Sequence, residues 1–108
     1  MKHYTVAEME VTDPAWVRDY VNDVTGMVEA HGGRYLARTG QAELFEGGGE
    51  RGLPHVVLLI EWPSKEAAEK FYESEDYRPY REARRAGSRG VFLLVAGEDS
   101  SGRASVPS

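Results

Sequence analysis

Two short segments of this sequence are apolar without interruption. Val56-Val57-Leu58-Leu59-Ile60 and Val91-Phe92-Leu93-Leu94-Val95 carry no polar residue at alternate positions. A strand exposes alternate side chains on opposite faces, so a strand of this kind has to be covered on both. That requirement constrains the fold more than any other feature of the chain. The chain has 108 residues, the size of one domain, and a domain this small has little material with which to build a layer on each side of a sheet.

The rest of the pattern supplies the other elements. From His3 to Val11, Thr5, Ala7, Met9 and Val11 alternate with Tyr4, Val6, Glu8 and Glu10, which predicts a first strand. Asp13-Pro14 is a helix start, with a side chain that can accept from first-turn amides and a proline suited to the first helical position. Trp16, Val17, Tyr20, Val21, Val24, Met27, Val28 and His31 then recur at steps of three and four, one face of a helix of about 17 residues. Gly32-Gly33 ends it. Arg34 to Glu46 reads as a second strand, bent near Thr39-Gly40, and Gly47 to Gly52 as a mobile connection. His55 to Trp62 is the third strand, expected to be central. Pro63 stops it, and Ser64 caps a second helix with Ala67, Ala68, Phe71 and Tyr72 on its apolar face. A further short helix starts near Pro79 and runs to Ala86, and Val91 to Val95 is the last strand. The domain is therefore expected over residues 3–97, with 98–108, rich in Ser and Gly, as a flexible tail.

Strand, helix, strand, strand, helix, strand is the split βαβ order. It predicts an α+β fold, a ferredoxin-like antiparallel sheet with both helices on one face. The helices then leave the second face of the doubly apolar strands bare. In so short a chain the expected cover is a second copy of the same sheet, that is, a homodimer.

Composition narrows the function classes. The formal net charge is −5, which argues against a nucleic-acid partner, since that requires a basic face. The absence of cysteine excludes disulfides, thiolate catalysis and cysteine-based zinc sites. No segment approaches the ~20 apolar residues of a membrane span, and Met1-Lys2-His3-Tyr4 opens no signal-peptide pattern. The expectation is a cytoplasmic protein without a membrane partner.

Three groups of residues carry a family likeness: His31-Gly32-Gly33-Arg34-Tyr35-Leu36 with Arg38, then Ile60-Glu61-Trp62-Pro63-Ser64, then Phe71-Tyr72, Ser74 and Tyr77-Arg78-Pro79. Together with the Asp13-Pro14 opening they resemble the domain-of-unknown-function family thirteen-thirty, over residues 3–97. That family is similar to a branch of the dimeric α+β barrel superfamily, in which two ferredoxin-like sheets face each other with helices outside. The resemblance implies a homodimer. Its superfamily contains monooxygenases, isomerases and cyclases that hold no organic cofactor, and also haem-dependent members. The family often carries an arginine early in the third strand, where this chain has Val56 beside His55.

Candidate chemistry follows from residue type and topology. His31, in the last turn of the first helix, could act as a general acid/base or could simply cap a carbonyl. Glu61, at the end of a central apolar strand, is either a carboxylate with a raised pKa or the partner of Arg34 or Arg38. The topology brings His31, Arg34 and Glu61 to one end of the sheet, where a pocket between helices and sheet would be lined by Trp16, Tyr20 and Tyr35. Arg78, Arg81 and Arg85 form a helix stripe that reads as a solvated face, with an anion clamp as the sharper alternative. His3, His31 and His55 show no metal-ligand spacing, so no metal is expected.

Two functions remain. One is a cofactor-free enzyme acting on a small carbonyl, phenolic or quinone-like metabolite, with Glu61 or His31 moving a proton and Arg34 or Arg38 steadying negative charge. The other is a non-catalytic dimeric module that binds a small molecule or a partner. A free, pocket-facing Glu61 favours the enzyme, and one locked in a bidentate arginine pair favours the module.

Overall fold

The computed structural model describes residues 1–48 and 52–108. Part of the expected glycine connection, Gly49-Glu50-Arg51, thus lies outside the described residues. Four strands and three helices follow in order: β1 His3–Val11, α1 Val17–Ala30, β2 Arg34–Thr39, β3 Val56–Trp62, α2 Lys65–Tyr72, α3 Arg78–Ala86 and β4 Ser88–Ala96. A single 3₁₀ turn, Pro14–Trp16, leads into α1. Asp13 starts it by accepting from the Ala15 amide at 3.0 Å, as the sequence predicts. Ser64 does the same for α2 by accepting from the Ala67 amide at 3.1 Å.

The sheet order is β2-β3-β1-β4 and each neighbouring pair is antiparallel. This is the expected ferredoxin-like α+β arrangement, with the helices on one face. Register assigns every side chain to a side. Leu58, Ile60 and Trp62 of β3 stand beside Ala7 and Thr5 of β1 and pack with Val24 and Val28 of α1 and Phe71 of α2. The alternate residues, Val57, Leu59 and Glu61 with Tyr4, Val6 and Glu8, face the other way. Across from them on β4 lie Val91, Leu93 and Val95, between 42% and 54% exposed. Among the described residues no helix covers that open face.

The core closes tightly at the turn between α1 and β2. Gly32 takes a left-handed φ of 88°, the helix-ending conformation a side chain resists. Gly33 is glycine for a different reason: a Cβ there would collide with Val28 and the Trp62 ring. Trp62 is held in turn by its indole N–H donating to Thr5 Oγ1 at 2.8 Å.

β2 is shorter than the sequence suggests, ending at Thr39 rather than Glu46. Its last pair is Thr39 with Val57, one residue from the start of β3. Pro54, further back, has no N–H to donate, and the His55 amide is spent on the Met9 carbonyl. Beyond Thr39 the strand has no ladder to join. At the other terminus, the Asp99 carboxylate accepts from the amides of Ser101, Arg103 and Ala104. These bonds, Ala104's foremost, hold its pKa down at about 2. The final eight residues are exposed.

Candidate functional site

Between the helices and the sheet lies a cavity of about 310 Å³, at the lower end of the range for small-ligand sites. Its walls are mostly aromatic and aliphatic, with Trp62, Phe71 and Phe92 among them. Hydroxyl-bearing side chains come from four tyrosines, Tyr20, Tyr35, Tyr72 and Tyr77, and from Thr5. Exposed Glu69, Glu73, Leu93 and Leu94 also line it, so it opens between α2 and β4. There the two helices leave the edge strand uncovered.

Tyr20 and Tyr77 are bonded hydroxyl to hydroxyl at 2.6 Å. Burial, reinforced by the neighbouring Tyr77, pushes the Tyr20 phenol well above its ordinary pKa. Burial also raises Tyr35, against the pull of Arg38, whose guanidinium lies 4.5 Å from the centre of the Tyr35 ring. Tyr20 and Tyr35 are therefore neutral near pH 7 and act there as hydrogen-bond donors and acceptors.

Of the residues singled out from the sequence, Tyr20 and Tyr35 line this cavity. Trp16 lies outside it, donating its indole N–H to the Gly87 carbonyl at 3.0 Å and meeting the Tyr20 ring edge-on. Arg38 donates to Thr25 Oγ1 at 2.9 Å. Arg34 and Glu61 do come together, as topology requires, with Arg34 Nη2 donating to Oε2 at 3.2 Å. Lys2 Nζ donates to the other oxygen at 2.9 Å. The Lys2 bond, the largest influence, lowers the Glu61 pKa against the opposing effect of burial, and the Arg34 charge adds to the lowering. Glu61 is thus an ionised carboxylate locked between two cations, on the open face of the sheet and away from the cavity.

His31 lies in the helix layer, against the Phe71 ring. Its Nδ1 is 2.8 Å from the Met27 carbonyl. A carbonyl only accepts, so Nδ1 carries the proton and Nε2 is the basic nitrogen. His31 caps α1, and the sheet separates it from Glu61. The other two histidines are elsewhere, His3 near the Met1 carbonyl and His55 accepting from the Val11 amide at 2.9 Å. Among the described residues no cluster of three His, Asp or Glu side chains could hold a metal ion, and no helix is long and apolar enough to cross a membrane.

The arginine stripe divides. Arg78 and Arg85 are solvated, but Arg81 is mostly covered, donating to the Tyr72 carbonyl at 2.7 Å and lying over the Tyr72 ring. Sequence reasoning missed two residues: Tyr77, 1% exposed, and Arg84, 5% exposed. The signal for both was helical spacing, since 77 and 84 are seven apart and therefore share the inward face of α3.

An antiparallel βαββαβ sheet with helices on one face and a tyrosine-lined cavity between them defines the class: a ferredoxin-like α+β domain. The chain belongs to the family described as domain of unknown function DUF1330, whose model matches residues 2–98. Among solved structures it is similar to RPA0582, a protein of unknown function from Rhodopseudomonas palustris. The two are 21% identical with a TM-score of 0.70, over 85% of this chain and 80% of that one. It is also similar to SnoaB, a cofactor-independent oxygenase from Streptomyces nogalater, at 15% identity and a TM-score of 0.61, over 94% and 98% of the two chains. At such identities the likeness establishes the fold. No curated protein matches the sequence.

Proposed function

We propose that this protein is a cytoplasmic homodimer that binds one small, flat carbonyl, phenolic or quinone-like metabolite per chain and acts on it without an organic cofactor. The monooxygenase, isomerase and cyclase chemistries of α+β barrel enzymes are the reaction types in view. The observation that carries the reading is the apolar cavity with its Tyr20–Tyr77 hydroxyl pair. A bonded pair of tyrosine hydroxyls can donate to a ligand oxygen and stabilise negative charge developing on it, which favours enolate or phenolate formation. His31, whose Nε2 is the basic nitrogen, stays the candidate base through its packing on cavity-lining Phe71. Arg38, stacked on Tyr35, is the nearby cation. The likeness to a cofactor-independent oxygenase supports the reaction class.

One observation favours the second reading, a binding module without turnover. Glu61, held by Lys2 and Arg34, is neither free nor directed at the cavity. Trp62 lines the cavity and Trp16 does not, which provides the test. In a Trp16→Phe background, titration with 1-naphthol is expected to quench Trp62 fluorescence saturably at one ligand per chain. Absence of saturation removes the cavity reading. Disappearance of the bound compound during aerobic incubation without added cofactor identifies an enzyme, and its full recovery identifies the module.

A further inference from the structure

The chain is acidic overall, yet beside the cavity three arginines line one space with no acid among its walls. Arg84, Arg85 and Arg89 flank a cleft of about 520 Å³ at the junction of α3 and β4. Arg85 and Arg89 are exposed and lean on surface carboxylates, Glu82 at 3.8 Å and Glu10 at 3.6 Å. Arg84 is different. It is buried, and its guanidinium stacks 3.9 Å from the centre of the Phe92 ring. Its Nε and Nη2 have no hydrogen-bond partner among the described residues. The neighbouring Tyr77 hydroxyl is already bonded to Tyr20.

Arginine stays charged under all physiological conditions. A cation withdrawn from water without an anion is costly, and an aromatic face returns only part of that cost. Buried donors without partners are rare in native proteins and call for an explanation. The orphaned pair is informative in itself. Nε–H and Nη2–H point in parallel from one edge of the guanidinium, the geometry that takes both oxygens of a carboxylate. The edge also lies close to the proposed ligand site, because Tyr72 and Phe92 line both the cleft and the cavity. Phe92 lies beneath Arg84, whereas Tyr72 is partly exposed.

We propose that Arg84 is a carboxylate receptor and that the ligands of this protein are small aromatic carboxylic acids, with the ring in the cavity and the carboxylate on the Nε/Nη2 edge. The placement of the ring rests on the cavity reading above; the carboxylate site stands on Arg84 alone. Calorimetric titration at pH 7 with benzoate, benzamide and acetate tests the two parts separately. Benzoate is expected to bind at least about tenfold tighter than benzamide, as loss of a charge-assisted pair to a buried donor requires. Arg84→Met and Arg84→Lys, the latter keeping charge without the fork, are expected to reduce that preference to within about twofold, while Arg89→Ala preserves it. Equal binding of benzoate and benzamide to the unaltered protein overturns the carboxylate site and leaves the cavity standing. Acetate binding as tightly as benzoate keeps the Arg84 site and removes the ring from the cavity. Absence of benzoate binding, or loss of the preference in Arg89→Ala but not in the Arg84 variants, overturns the proposal. The comparison of ligands on the unaltered protein decides the matter even if an Arg84 variant fails to fold.

Discussion

Glu61 is the residue whose environment most changed its meaning. In the sequence it stands as an acid at the end of an apolar strand; in the structure it is an anion clasped by Lys2 and Arg34. Its pKa is lower folded than unfolded, chiefly through the Lys2 bond, so its contribution to stability is fully present above the ordinary carboxylate range. That contribution is lost as pH falls through the folded value. The melting temperature is therefore expected to fall between pH 6 and pH 3 by less in Glu61→Gln than in the unaltered protein. Parallel curves from differential scanning fluorimetry would show that the clasp adds nothing. The Arg34–Glu61 meeting was legible in the sequence because chain order alone brings the start of β2 to the end of β3. The face was not legible: a strand apolar on both sides gives no hint of which way its one charge points. Arg84 was hidden for a related reason. It sits in an arginine-rich run, Arg81 to Arg85, and only its spacing from Tyr77 separates it from its solvated neighbours.

At the level of elements, pattern and capping located all four strands and the helices, because each carries its own punctuation: Asp13-Pro14, Gly32-Gly33, Pro63-Ser64 and Pro79. The misses were the end of β2 and the start of β4, which begins at Ser88 rather than Val91; both depend on a pairing partner distant in sequence. Gly33 shows how closely these elements fit. Its missing side chain is the space in which Val28 of α1 and Trp62 of β3 meet. Gly33→Ala is expected to destabilise by about 1–3 kcal/mol, the usual cost of inserting a methyl group into a filled core. The measurement is a lower urea midpoint at unchanged m-value. An unshifted midpoint would mean that helix and sheet part without cost at this turn.

For the whole molecule, the unequal treatment of the two sheet faces governs behaviour. One face carries the helices; the other presents Val91, Leu93 and Val95 beside the Glu61 clasp. We expect two copies to meet there and bury at least the ~1,600 Å² of a standard stable interface. Light scattering at micromolar concentration should return twice the chain mass, and Leu93→Lys, which puts a cation in the middle of that face, should return the single mass. A single mass for the unaltered protein contradicts the pairing. An apolar face left bare in one chain also turns abundance into a folding variable. A dilute chain must keep that surface in water, whereas a crowded one can hide it against its own kind, and mass action then adds to the stability of each.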